Sequence, residues 1–591
     1  MSRRSHRGQF DPFRCSLLAA LLAVVGCGSD SKQAVSTAPH QTPTGGSTTG
    51  GTTTPVCEAG DSAGSVQAPQ FVRNLPGQTS WFAAPVVADL DSDGHRELVA
   101  AYYSTFVYDD QGELLDEIDG GDGRVYAPHV VADLEGDGVT EIVYGSGSEV
   151  YAYQWVDGHA ELKPGWPVSI DGSGSGPEVR GMAAGDLNRD GSLEIVVTTT
   201  ETAEEADGGA QVWVFNASGT LYQPEGLDYD AWPRYNAKPG PGNDADRNGQ
   251  GHHGYGCYGL NVGIGNLDDD PELEIVVTYD NHHIQVFDHD GVALQASSWF
   301  SNRASEYQGE GLTWGQFIRW ADPDIEAAHY HDHAGEWPNP TWAEWLQWTQ
   351  SPPGIVDLDG DGLNEVVGVP NIEMNEPYET QAWAIMVLEG AYGDASPSAM
   401  RKAGWEQLPR GQAPISVDGW YPPTGVPAVA AVNLQGDANP ELLVSLNDAM
   451  FYAFAADGSE LWHYDYSHGK AIMFASEATV ADLNQDGSPE VLFATYGAPE
   501  ELDSGHLIGL SAVGTELFDI ALPDPGENGN GNGAPAAPTV ADWDGDGQLE
   551  IFVQTFDHGM DVFTVPGSAE NCVLWATARG GPLRMGQPSG A

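Results

Sequence analysis

Basic residues are few. The 591-residue chain holds 22 Lys+Arg, five of them lysine, against 87 Asp+Glu, for a formal charge of -65. That balance excludes binding to nucleic acid through its phosphates, which needs a basic surface to release counterions. Long hydrophobic runs are missing too: the N-terminal apolar stretch at residues 17–25 is too short to span a membrane in the mature protein. Charged residues make up only 18% of the chain while glycine numbers 75, which is not the composition of a disordered acidic tail. No nucleophile elbow, Walker loop, dinucleotide fingerprint or recognisable Cys-His pair is present, which removes the reactions those motifs carry.

What is present points to strands and turns. With 75 Gly and 39 Pro the chain favours many turns over long helices, and an all-β protein is expected. At the N-terminus Arg3, Arg4, Arg7 and Arg14 precede the apolar run, and Val24-Val25-Gly26-Cys27 resembles a bacterial lipobox. The resemblance implies that residues 1–26 are a lipoprotein signal peptide and that Cys27 carries the lipid; an ordinary secretory signal is the alternative. Residues 27–56 continue as a Ser/Thr/Gly tether too polar to pack a core. Residues 57–591 form the globular part. Cys57 opens it and Cys572 lies near its end, so a disulfide between them would staple the two ends together, leaving Cys257 over; three free thiols are the alternative.

One pattern then recurs from about residue 80: an apolar run, an acidic loop, Glu, and a second apolar β-rich run. The first copy reads Ala84-Pro85-Val86-Val87-Ala88-Asp89-Leu90-Asp91-Ser92-Asp93-Gly94-His95-Arg96-Glu97. Other loops start at Asp133, Asp186, Asn266, Asp357, Asn433, Asp482 and Asp542, at spacings whose minimum suits one four-stranded propeller blade. These Asp-x-Asp-x-Asp-Gly-x-x-Glu loops resemble the FG-GAP/VCBS repeats of integrin α-subunit propellers and of lipid-anchored bacterial proteins. The resemblance implies a β-propeller of four-stranded blades, eight by motif count with seven as the alternative. A Trp/His-rich, partly helical insertion would interrupt it at about 222–260 and 295–350.

Oxygens at loop positions 1, 3, 5 and 9, with the backbone carbonyl at 7 and Gly at 6, can wrap a hard cation. Asp89/Asp91/Asp93/Glu97, Asp357/Asp359/Asp361/Glu365, Asp542/Asp544/Asp546/Glu550 and Asp133/Glu135/Asp137/Glu141 are fully acidic and are expected to bind calcium best. Asp186/Asn188/Asp190/Glu194 and Asp482/Asn484/Asp486/Glu490 trade one charge for a neutral oxygen. Asn266/Asp268/Asp270/Glu274 has Pro271 in place of Gly, and Asn433/Gln435/Asp437/Glu441, with Ala438 there, is expected to stay empty. Several structural calcium ions are the expected cofactor.

The insertion concentrates His252, His253, His282, His283, His289, His329, His331 and His333. Asp322-Pro323-Asp324-Ile325-Glu326 reads as a helix start, placing His329 and His333 one turn apart over 327–333, a spacing that can hold zinc; solvated histidines are the plainer reading and zinc the less favoured cofactor. Asn243-Asp244-Ala245-Asp246-Arg247-Asn248-Gly249, out of phase with the repeats, is a weak calcium candidate. Trp299, Trp314, Trp320, Trp337, Trp342, Trp345 and Trp348 would form either the insertion's own core or, at Trp345 and Trp348, a platform for sugars or an anchor for a protein partner. The expected function is a non-catalytic, calcium-stabilised recognition scaffold. It would be lipid-anchored on a bacterial cell envelope, at the outer membrane or cell surface, and would bind extracellular protein or glycan. The alternative is a calcium-dependent, polysaccharide-active enzyme with its site in the His/Trp-rich insertion, using the inserted His residues with Tyr330 and Asp332.

Overall fold

Each acidic loop lies between two short strands, and those strands pair in the same way at all eight positions. The residue before the loop faces the loop's closing glutamate: Ala88 opposite Glu97, Ala132 opposite Glu141, Gly185 opposite Glu194 and Gly265 opposite Glu274. The second half of the chain repeats it with Val356 and Glu365, Val432 and Glu441, Ala481 and Glu490, and Ala541 and Glu550. A side-chain period of two makes register all-or-none, because a slip of one residue would turn the buried Val/Ile/Leu set to solvent. Eight loops of one length thus specify eight hairpins of one register.

The computed structural model describes residues 56–588 except 63, 77–80, 120, 122, 171–176, 201–211, 224–258, 280–282, 296, 298–313, 316–317, 319–320, 323–344, 349, 374–381, 393–399, 412–424, 438, 471–473, 498–504, 524–531 and 557–558. Cys27, Cys257, the Asn243–Gly249 turn, the expected helix at 327–333 with His329, Tyr330, His331, Asp332 and His333, and Trp299, Trp320, Trp337 and Trp342 lie outside the described residues. Residues 53–591 belong to one compact unit. Among the described residues there is no α-helix, and none long and apolar enough to cross a membrane; the helical content is a 3-10 turn at Ala578–Gly580.

Eight antiparallel sheets each contain one loop. The first runs Val86–Ala88, Glu97–Ala101, Thr105–Tyr108, Leu114–Ile118, and the sixth Ala430–Val432, Glu441–Ser445, Met450–Phe454, Glu460–Asp465. The seventh follows the same order from Thr479–Ala481 to Glu516–Ala521. In the second, His159–Leu162 and Val168–Ser169 both pair with Glu149–Val156. The third, fourth and fifth show three strands among the described residues, each followed by a single bridge to the third strand, Phe215 with Leu221, Phe287 with Ala293 and Leu388 with Arg401. The eighth takes its outer strand from the other end of the chain: Gln70–Leu75 pairs with Met560–Val565.

Each sheet is apolar on both faces and packs on the next. Leu443 and Phe451 of the sixth meet Val491, Phe493 and Ile508 of the seventh, with Phe451 and Phe493 stacked at 4.2 Å. Leu492 and Leu507 of the seventh meet Ile551 and Val553 of the eighth, and Phe552 and Val562 of the eighth meet Leu98 and Ala100 of the first. Burying a side chain of this size contributes about 1.5–3 kcal/mol, so the seams between sheets carry most of the stability. Sheets stacked face to face in sequence, each entered by its inner strand, make this a β-propeller.

The segment 572–587 binds the inner strands together. Its carbonyls accept backbone N–H groups from the entry to six sheets: Cys572 from Asp482, Ala576 from Val540, Pro582 from Val131, Leu583 from Ala184, Met585 from Ile264 and Gly586 from Ile355. Cys572 is disulfide-bonded to Cys57, with a Cα–Cα separation of 5.7 Å.

Candidate metal centres

Loop conformation comes first. In the six loops with Gly at position 6 that glycine has φ near +90° (Gly94 92°, Gly138 88°, Gly191 94°, Gly362 91°, Gly487 90°, Gly547 89°), a region closed to other residues. Position 4 is left-handed as well, even where it is not glycine, as at Ser92, Arg189 and Gln485. This pair of turns folds the loop back so that position 1 caps it. Asp89 Oδ2 accepts the N–H of Gly94 at 3.0 Å, and Asp133, Asp186, Asp357, Asp482 and Asp542 do the same for their glycines at 2.7–3.1 Å.

Position 9 is the buried wall of every loop. One oxygen of Glu97, Glu141, Glu194, Glu274, Glu365, Glu441, Glu490 and Glu550 accepts the backbone N–H at position 2. Ligand oxygens of Asp89, Asp91 and Glu97 gather within 4.8 Å of one another, as do those of Asp268, Asp270 and Glu274 and of Asp357, Asp359 and Asp361. Burial raises Glu97, Glu194, Glu365 and Glu550 to about 7, Glu490 to about 8 and Glu274 to about 9; it also raises Glu141 and Glu441. Buried carboxylates beside further carboxylates hold protons unless a cation keeps them ionised. Glu274 Oε1 and Asp542 Oδ1 are buried without a hydrogen-bond partner among the described residues, a demand that a cation would meet.

Several expected ligands at positions 3 and 5 face donors of their own loop here instead of a shared centre. At position 5, Asp137 Oδ1 accepts the Val139 N–H at 2.9 Å, Asp190 Oδ1 that of Ser192 at 2.9 Å, Asp486 Oδ1 that of Ser488 at 2.9 Å and Asp546 Oδ1 that of Gln548 at 2.7 Å. All four aspartates are exposed on the loop rim. At position 3 the oxygens of Asn188, Asn484 and Asp544 accept the backbone N–H of position 5 at 3.0–3.1 Å. The two asparagines also turn their amides onto position 5: Asn188 Nδ2 donates to Asp190 Oδ2 at 3.2 Å and Asn484 Nδ2 to Asp486 Oδ2 at 3.0 Å. Gln548 Nε2 does the same for Asp546 Oδ2 at 3.0 Å. The cause is electrostatic: neighbouring carboxylates repel, so each takes the nearest N–H. Asp137 therefore keeps its second oxygen clear of its own loop's amides, whereas at Asp190, Asp486 and Asp546 a cation must first displace one side-chain amide.

Acidity alone does not rank the loops, because two of the four fully acidic ones already contain a cation. Lys163 Nζ lies 2.6 Å from Glu135 and 2.9 Å from Glu141, positions 3 and 9 of the second loop. Lys402 Nζ repeats this at 2.7 Å from Asp359 and 2.8 Å from Glu365 in the fifth. Both lysines are buried. Burial alone would lower their pKa values, but the hydrogen bonds to the acids outweigh it and hold the ammonium charged. The lysines sit in a repeated Lys-x-Gly-Trp segment whose tryptophan crosses to the next sheet: Trp166 Nε1 donates to the Ala217 carbonyl and Trp405 Nε1 to that of Ala456. In the fourth and sixth loops position 1 turns a donor inward, since Asn266 and Asn433 Nδ2 bond the carbonyls of Asp270 and Asp437. Pro271 cannot adopt the positive φ that glycine supplies at position 6.

The loops at Asp89, Asp186, Asp482 and Asp542 therefore suit a calcium ion, with no ammonium in them and an acidic capping residue. Replacing Lys163 or Lys402 with Met is expected to add one calcium per chain for each substitution, counted by elemental mass spectrometry, and to make the thermal midpoint newly sensitive to chelator. An unchanged count would show that the ammonium and calcium do not compete.

The insertion's tryptophans are core residues where described: Trp314 and Trp348 are fully buried, so Trp348 offers no stacking face. Described histidines that gather with two or more potential metal ligands include His289, beside Asp270 and Asp288, and a pair that the sequence pattern does not single out, His468 and His506, beside Asp519.

Residues 109–197, spanning the second acidic loop and ending just past the third, match the family model of the FG-GAP-like repeat. No curated protein matches the chain in sequence. Among solved structures, BBS1N in complex with ARL6DN aligns at 10% identity and TM-score 0.39 over 85% of this chain and 98% of its own. The V. cholerae biofilm matrix protein Bap1 aligns at 15% and 0.35 over 87% and 92%, and BamB from Moraxella catarrhalis at 11% and 0.36 over 82% and 96%.

Proposed function

We propose that this FG-GAP repeat protein is a calcium-stabilised β-propeller scaffold, held at a bacterial cell envelope by a lipid on Cys27, that recognises extracellular protein or glycan without catalysis. The observation that carries the calcium part is the shared geometry of the loops at Asp89, Asp186, Asp482 and Asp542, each with an acidic cap, a glycine at φ near +90° and a buried glutamate wall. Bound there, calcium supplies the positive charge that lets three or four carboxylates share one turn, and its binding free energy adds to folding. The anchoring part rests on the lipobox resemblance and the polar tether that follows it. A rigid ring of hairpins with long inserted segments is a suitable support for recognition, since loops on a fixed frame carry most binding sites.

The test is a metal count on the full-length chain. Purified with calcium and then exchanged into metal-free buffer, it is expected to retain about four calcium ions, one for each loop that combines an aspartate cap with no lysine. None retained would defeat the calcium reading. For the anchor, Cys27→Ala is expected to move the protein from the membrane fraction to the soluble fraction; a variant that stays with the membrane would defeat that part alone.

A further inference from the structure

We propose that His468, His506 and Asp519 form a binding site for a divalent transition metal of the zinc class at the seam between the sixth and seventh sheets. Asp519, in the strand Glu516–Ala521, gives one oxygen to each imidazole: Oδ1 to His506 Nδ1 at 2.6 Å and Oδ2 to His468 Nε2 at 3.0 Å. The two rings lie against each other with centroids 4.3 Å apart and planes inclined by 23°. His506 begins the adjacent strand, His506–Ser511, and pairs across from Ala521. His468 comes from the neighbouring sheet, in the turn after Glu460–Asp465.

Three features make this more than a hydrogen-bonded trio. The donor set is two imidazoles and a carboxylate, the mixture that zinc and its neighbours in the first transition row prefer and that calcium does not. In a tetrahedral site with bonds of about 2.0–2.1 Å the ligand atoms stand roughly 3.3 Å apart; the two N–O separations here, 2.6 and 3.0 Å, need to open by well under an ångström, and one ligand atom from each of the three residues already lies within 4.8 Å of the others. The backbone is also strained to bring His468 here. It has φ of 49°, followed by Gly469 at 73°, in a tight turn closed by the Lys470 N–H on the Ser467 carbonyl at 2.8 Å. A left-handed backbone is disfavoured for histidine, and such strain collects where a side chain must be aimed. His468 and His506 keep about a third and a fifth of their side-chain surface exposed, which leaves solvent access to a fourth coordination position.

Nothing in this site overlaps the acidic loops, so it stands or falls apart from the calcium reading. The experiment uses the full-length chain stripped of transition metals, held in calcium, and titrated with Zn2+ against a chromogenic chelator. One zinc per chain is expected. The double substitution His468→Ala/His506→Ala is expected to weaken that binding by more than about a hundredfold, beyond the 10–100-fold that outer partners of a metal site are worth. Its calcium content and thermal unfolding would be unchanged. On the unaltered protein, Co2+ is expected to give the visible absorption of a four-coordinate N/O site, a readout that needs no variant. Zinc that persists in the double variant, is lost instead in His329→Ala/His333→Ala, or never binds would overturn the proposal.

Discussion

Replacing Arg584 with Met is expected to destabilise the protein by about 3–5 kcal/mol, one of the largest single-residue effects the fold offers. Arg584 is completely buried in the segment that binds the inner strands. Its Nε donates to the His129 carbonyl at 2.8 Å, Nη1 to Ala578 at 2.8 Å and to Thr577 Oγ1 at 3.1 Å, and Nη2 to Ala84 at 3.1 Å. One guanidinium thus satisfies carbonyls at the entries to the first and second sheets and in its own segment. Removing it strands several buried acceptors, each costing about 1–3 kcal/mol. Arg584 and Arg579 both hold left-handed backbone, at 62° and 61°, a cost that only strong local bonding offsets.

The charge itself is held by geometry more than by pairing. Burial lowers the pKa of both guanidiniums, opposed by Glu477. Glu477 accepts from the Arg579 N–H at 2.7 Å and from Trp575 Nε1 at 2.8 Å. Arg584→Lys is therefore expected to recover little of the loss, because a lysine has three donors on a point and cannot fan out to carbonyls on separate strands. Urea unfolding in saturating calcium measures both variants. A loss below about 1 kcal/mol for the Met variant, or full recovery with Lys, would show that the backbone bonds of residues 572–587 suffice without the side chain.

How much of this could be read from the residues differs by feature. The hairpins were legible because their ligands recur with one spacing, and a carboxylate at position 9 with glycine at 6 has few other uses. Spacing does not say which donor each oxygen meets, so the amides of Asn188, Asn484 and Gln548 on position 5 emerge only from the folded loop. The Lys-x-Gly-Trp segments were missed although the signal was present: two of only five lysines stand three residues before a tryptophan, at 163–166 and 402–405. In so acidic a chain a lysine with fixed neighbours calls for a buried partner. The role of residues 572–587 was hidden for a physical reason. Its contacts are backbone N–H to carbonyl, from Val131 to Pro582 or from Ile264 to Met585, and residue type scarcely enters. The His468–His506–Asp519 group was hidden by distance, since three strands and an acidic loop lie between His468 and His506, which the packing of neighbouring sheets brings together.

Chelating calcium is expected to lower the thermal midpoint by on the order of 10 °C, and by more at higher pH. At a hundredfold excess over its dissociation constant each bound ion adds about 2.7 kcal/mol, and four such ions approach the whole stability of an ordinary domain. Spread over the unfolding entropy of a chain this long, that is roughly 1 °C for each kcal/mol. The pH dependence follows from the buried glutamates. Without calcium, burial lifts Glu97, Glu194 and Glu550 to about 7 and Glu490 to about 8, above the ordinary value of about 4.5 that they regain on unfolding. The metal-free native state then holds protons that the unfolded chain has released, so its stability is greatest below the unfolded value and falls as pH rises through 7 and 8. Calcium needs these carboxylates ionised and displaces their protons, so the calcium-bound form escapes that decline. Calorimetry at about pH 6 and about pH 8, with calcium and with chelator, should show the gap between the two midpoints widening with pH. A gap that stays constant, or that narrows towards pH 8, would mean that the glutamate wall is not in contact with the ion.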